Sequence, residues 1–119
     1  MVRSLASRGL REQGYTVIEA RHGADALRQL EQHPSTIDLV ISDVVMPEMG
    51  GRELGRRLAT LRPLMPVLYT SGYTGEDVIQ RGLLDPEMPF QQKPFAPEDL
   101  ARKVREMLDA ARSEGVARA

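Results

Sequence analysis

Ile37-Asp38-Leu39-Val40-Ile41-Ser42-Asp43-Val44-Val45-Met46-Pro47-Glu48-Met49-Gly50-Gly51 is the stretch that decides the fold. A nearly unbroken apolar run, rich in Val and Ile, ends in a carboxylate, and a Pro/Gly turn follows at once. A run of this kind, from Ile37 to Asp43, reads as a strand buried on both faces of a parallel sheet. Open α/β sheets bind their ligands at the carboxyl ends of such strands. Asp43 is therefore expected at the rim of a crevice, its backbone fixed by the strand and its side chain free to react.

Working outward, the rest of the chain alternates two periodicities. Met1 to Gln13 has apolar residues at Val2, Leu5, Ala6 and Leu10, a helical spacing, with Gly14 as a natural stop. Tyr15 to Ala20 is rich in β-branched residues and is predicted as a strand. Gly23 to Gln32 is predicted as a helix ended by His33-Pro34-Ser35, and Arg52 to Leu61 as another ended by Pro63. Pro66 to Ser71 reads as a second short buried strand, Gly75 to Leu84 as a weaker helix, and Phe90 to Lys93 as a short strand bounded by Pro94. Pro97-Glu98-Asp99 opens a long last helix, with Pro early and acids in the first turn as the helix dipole favours. Residues 113–119 are expected to fray, which leaves residues 1–112 as one domain.

A helix followed by four strand–helix units implies a parallel sheet with helices on both faces. Opening on a helix breaks the rule that each helix follows a strand, so the reading includes a missing initial strand.

Composition narrows the function. The chain has 119 residues, 41% hydrophobic and 28% charged, with a formal net charge of -1. That balance gives no bulk electrostatic reason to expect direct binding of nucleic acid or of an anionic membrane. The absence of cysteine excludes disulfides, thiolate metal sites and Cys nucleophiles. His22 and His33 have no second ligand at metal-binding spacing and read as surface residues. No apolar stretch approaches the roughly 20 residues of a membrane helix, and no charged-then-apolar leader opens the chain, so a cytoplasmic domain is expected.

Three motifs stand at the ends of three successive strands: Asp43-x-x-Met46-Pro47-x-Met49-Gly50-Gly51, then Thr70-Ser71-Gly72, then Lys93-Pro94-Phe95. Together they resemble the receiver domain of two-component response regulators, over nearly the whole chain from Val2 to about Ala110. The wording Tyr69-Thr70-Ser71-Gly72-Tyr73-Thr74 and Gln92-Lys93-Pro94-Phe95 is most similar to the C-terminal receivers of hybrid sensor histidine kinases. The resemblance implies a flavodoxin-like, doubly wound parallel sheet of order 2-1-3-4-5, here lacking strand 1.

It also implies roles. Asp43 would be the phosphoacceptor, attacking a phosphohistidine of a histidine kinase or phosphotransfer domain to form an acyl phosphate. Ser71 would bond a phosphoryl oxygen, and Lys93 would pair with the phosphoryl group. Asp43 and the backbone carbonyl of Val45 would be Mg²⁺ ligands. Phe90 matches the aromatic switch position, with packing but no hydroxyl. Lys93–Pro94 is a candidate cis peptide, X–Pro being the linkage in which cis costs little.

One departure bears on the cofactor. In the family a pair of acids at the end of the first strand holds Mg²⁺, whereas here no acid precedes Glu12. Asp43 and one carbonyl make a poor octahedral site. A non-phosphorylated binding module, a pseudo-receiver, is therefore the alternative to the phosphoacceptor. A hydrolase of the aspartate-nucleophile type is disfavoured, since no second carboxylate follows Asp43 at short spacing as acid or base. The reading is thus a signalling domain rather than an enzyme, with a hybrid histidine kinase as its parent. Strand edges left open can promote swapping or a homodimer. Arg102, Lys103 and Arg105 give the last helix a basic face, either a docking surface or simply a solvated one.

Overall fold

The computed structural model describes residues 8–20, 22–32, 37–45 and 49–118, with residues 112–118 as helical backbone. The start of the predicted first helix, the His33-Pro34-Ser35 stop and Met46 lie outside the described residues. Residues 8–12 are helical and are followed by α1 (Gly23–Gln32), β1 (Val40–Asp43), α2 (Gly51–Leu61), β2 (Val67–Ser71), α3 (Gly75–Gln80), β3 (Phe90–Gln92) and α4 (Pro97–Arg118). The three strands form one parallel sheet in the order β1-β2-β3. This is the last part of the predicted order 2-1-3-4-5.

Alternation along β2 divides the core between the two faces, because successive strand side chains point to opposite sides. Leu68, fully buried, joins Leu10, Leu100 and Val104, so α4 and the residue 8–12 helix cover one face. Tyr69 faces the other way and joins Val44, Val78 and Leu84. Leu30, Leu54, Leu58 and Met65 bury the apolar stripes of α1 and α2. The sheet is thus wound with helices on both sides, as the strand–helix alternation requires.

Several boundaries differ from the sequence expectation, most by one residue, and the larger differences at residues 15–20, β1 and the third helix have local reasons. Residues 15–20 do not form a strand. In the order 2-1-3-4-5 this segment would pair only with strand 1, and here it is held by packing instead. Tyr15 and Val17 lie against the core cluster, the Arg11 guanidinium donates to the Val17 carbonyl at 3.0 Å, and Ile18 stays exposed. The ladder of β1 begins at Val40 rather than Ile37. The Val40 N–H donates to the Pro66 carbonyl at 3.1 Å, while the Ile37 carbonyl is taken by Arg62 at 3.0 Å.

The third helix, α3, stops at Gln80 rather than Leu84, because Gly82 adopts φ 71°. The N–H groups of Gly82 and Leu83 then turn back to the carbonyls of Ile79 and Val78, the paired bonds of a Schellman motif. At its other end Thr74 caps the helix by accepting the Asp77 N–H at 3.1 Å. The last helix runs on to Arg118, through the segment for which a frayed tail is predicted.

The turn after β1 is closed by backbone rather than by a side-chain cap. The Gly51 N–H donates to the Val44 carbonyl at 2.8 Å, and a Cβ on Gly51 would overlap the Asp43 carbonyl oxygen. Only glycine lets α2 begin this close to the strand end. Gly51→Ala is expected to destabilise the fold by about 1–3 kcal/mol, the usual range for forcing atoms into a packed site. A urea titration of the variant against wild type measures the loss.

Candidate functional site

Three strand ends meet at the carboxyl rim of the sheet. Asp43 is the last residue of β1, and parallel register sets it directly opposite Thr70 of β2. The Thr70 hydroxyl, buried beneath the rim, donates to Asp43 Oδ1 at 2.7 Å. From the residue that follows β3, Lys93 Nζ reaches the same oxygen at 2.7 Å. The lysine is positioned from behind, since its N–H donates to the Ser71 carbonyl at 2.8 Å. The Lys93–Pro94 peptide that follows is cis, as expected for this bond.

Both contacts fall on Oδ1. Oδ2 has no partner among the described residues, and the Asp43 side chain is 50% exposed. An ion pair this open to solvent contributes at most about 1 kcal/mol to stability. Its consequence is placement: a cation sits beside a half-exposed carboxylate whose second oxygen has no partner among the described residues. Such a site can hold an incoming anionic group against Lys93 while Oδ2 acts as a nucleophile.

Asp43 and Lys93 are thus brought together as the sequence predicts. Ser71, expected to bond a phosphoryl oxygen rather than the carboxylate, makes no hydrogen bond to Asp43. Its hydroxyl oxygen accepts the Tyr73 N–H at 3.0 Å, and its carbonyl serves Lys93. The hydroxyl that does meet Asp43 belongs to Thr70, which sequence reasoning quoted within a motif but assigned no role. The missing signal was register, because which of two adjacent hydroxyl residues faces Asp43 depends on how β1 and β2 align.

Phe90 packs beside Val44, Tyr69, Val78 and Leu84, paired in register with Tyr69 and lying under the first residue of α3 at Gly75. Val45 is 61% exposed at the top of the β1–α2 turn, and its carbonyl accepts no hydrogen bond among the described residues.

The donor set bears directly on Mg²⁺. Among the described residues no group of three or more His, Asp or Glu side chains converges anywhere, and the rim offers one carboxylate with the Val45 carbonyl. One carboxylate oxygen is already engaged by Thr70 and Lys93. The described residues therefore do not fit an octahedral Mg²⁺ site, which wants more oxygen ligands than these.

Other candidates take structural roles. His22 Nδ1 accepts the Asp25 N–H at 3.1 Å and so caps α1, while Asp25, buried, pairs with Arg28. On α4 the expected basic face is largely matched along the helix, Arg102 with Asp99 at 3.3 Å and Arg105 with Asp109 at 3.5 Å. That pairing favours the solvated reading of the face. Among the described residues no helix is long and apolar enough to cross a membrane.

Tyr69, next to Thr70, is the titratable side chain among the described residues whose burial bears on stability. Its phenol lies over Gly55 of α2, and burial pushes its pKa above 10.0. The folded state therefore holds the phenolic proton more tightly than the unfolded chain. Stability from this group is complete below pH of about 10 and is lost as pH rises through the folded value. Wild type is expected to lose stability more steeply above pH 10 than Tyr69→Phe, read from urea midpoints across that range.

Comparisons with known proteins agree with this fold. Residues 1–105 match the family model of the response regulator receiver domain. The chain is 43% identical over 109 residues to the sensor kinase CckA of Brucella abortus, covering 91% of this chain but only 11% of that kinase. It is 30% identical over 110 residues to the response regulator receiver protein CpdR of the same organism, covering 92% of this chain and 90% of CpdR. A crystal structure of the receiver domain from the hybrid histidine kinase CckA superposes with a TM-score of 0.74 at 37% identity, covering 90% of this chain and 89% of that one.

Proposed function

Because the chain belongs to the response regulator receiver domain family of two-component systems, we propose that Asp43 is its phosphoacceptor. It takes a phosphoryl group from a phosphohistidine on a histidine kinase or phosphotransfer domain. The observation that carries this reading is Lys93 Nζ at 2.7 Å from Asp43 Oδ1, with Oδ2 left without a partner among the described residues on a half-exposed side chain.

Oδ2 attacks the phosphorus, the P–O bond forms as the P–N bond breaks, and the electron pair leaves with the imidazole. Negative charge on the transferring group lies beside the Lys93 ammonium, which supplies the neutralisation that phosphoryl transfer chiefly needs. Ser71, at the end of β2, keeps its hydroxyl proton to donate to a phosphoryl oxygen, since its bond to the Tyr73 N–H uses only a lone pair. Receivers generally bind Mg²⁺, which supplies further charge neutralisation; in this chain the ligands would be Asp43 and the Val45 carbonyl, a set that by itself is too small. Phe90 would transmit the change by rotating against Tyr69 and the start of α3. The high similarity to CckA supports a parent of the hybrid histidine kinase type.

A pseudo-receiver that binds partners without being phosphorylated is the second reading, favoured by the single carboxylate among the described rim residues. Radiolabelled acetyl phosphate with Mg²⁺ separates the two. Label that disappears in Asp43→Asn is expected, with Lys93→Ala lowering the rate of labelling by about 10²-fold, the scale of losing one charge-stabilising donor. Persistent labelling of Asp43→Asn moves the acceptor elsewhere, and an unlabelled wild type supports the pseudo-receiver.

A further inference from the structure

We propose that Thr70 controls how long a phosphoryl group stays on Asp43, by hydrogen-bonding the carboxylate oxygen that does not carry it; this rests on the reading of Asp43 as acceptor. Thr70 is set opposite Asp43 by strand register, is 3% exposed, and donates to Oδ1 at 2.7 Å. Lys93 shares that oxygen, and Oδ2 has no partner among the described residues. Two donors on one oxygen make the two oxygens chemically distinct: Oδ1 is held and Oδ2 reacts.

In the acyl phosphate, Oδ2 bridges to phosphorus and Oδ1 becomes a carbonyl oxygen. A carboxylate is a stronger acceptor than such a carbonyl, because the bond to it is charge-assisted. The Thr70 hydrogen bond is therefore worth more in the dephosphorylated state. In hydrolysis, water oxygen bonds to phosphorus, the P–Oδ2 bond breaks, and its electron pair returns to the Asp43 carboxylate. Both water protons end on the released phosphate. In a loose transition state, charge builds on the departing carboxylate before the new bond is complete. The Thr70 bond strengthens along that path and speeds the loss of the phosphoryl group. Lys93 can move to the phosphoryl oxygens once they arrive, whereas the Thr70 hydroxyl, buried under the rim, stays with Oδ1. Thr70 thus acts directly on the departing carboxylate, and its effect is on lifetime.

The test uses the whole chain, labelled with radioactive acetyl phosphate and Mg²⁺, freed of donor, and followed for decay of the label. Thr70→Val is expected to slow decay by about three- to tenfold, the size of one charge-assisted hydrogen bond partly lost. Thr70→Ser keeps the hydroxyl and is expected to restore the wild-type rate, which a purely structural role for the methyl group would not do. In urea, where the site is dispersed, all three forms should lose label at one rate. Wild-type decay in Thr70→Val, or equally slow decay in Thr70→Ser, overturns the proposal while Asp43-dependent labelling stands. An unlabelled wild type, or labelling that survives in Asp43→Asn, overturns the acceptor reading and this proposal together.

Discussion

The parallel register of β1 on β2 is the constraint from which the site follows. Pairing Val40 with Val67 carries through to Asp43 opposite Thr70, and the next pairing, Tyr69 with Phe90, carries the chain to Lys93. A slip of one residue would invert every side chain between the faces of the sheet. Asp43 would then turn away from the lysine, and Leu68 would leave the core. The burial of Leu68 and Tyr69 on opposite faces thus holds the register, and the register holds the chemistry.

Backbone contacts refine that placement. Gly51 closes against the Asp43 carbonyl and the Val44 carbonyl takes the Gly51 N–H, so the start of α2 is held close to the end of β1. On the other side of the rim the Ser71 carbonyl takes the Lys93 N–H. Neither contact is strong singly, each about 1 kcal/mol net. Together they limit where two flexible side chains can point, which is the preorganisation that electrostatic stabilisation of a transferring group requires.

Sequence reasoning went furthest where a residue type admits one structural use. The strand before Asp43, the long last helix opened by Pro97, and the Lys93–Pro94 pair were legible because an apolar run, an early Pro with acids and the X–Pro linkage each leave a local mark, although Val40 and Ile41 are only half-buried rather than buried on both faces. It went less far at residues 15–20, where β-branched composition suggested a strand. Strand formation needs a ladder partner, and composition carries no information on whether one is adjacent. The same limit explains the shortened β1, whose first predicted residue, Ile37, bonds to the Arg62 side chain rather than to a neighbouring strand.

Alone, the chain's letters determined the parallel α/β class, the family, and the meeting of Asp43 with Lys93 at strand ends, because periodicity and motif order are properties of the linear chain. Tertiary structure alone decided that Thr70, not its neighbour Ser71, holds the Asp43 carboxylate, and that one oxygen of that carboxylate is engaged while the other has no partner among the described residues. The reason is that adjacent residues on a strand face opposite sides, and only the pairing of one strand with another determines which side looks at the site.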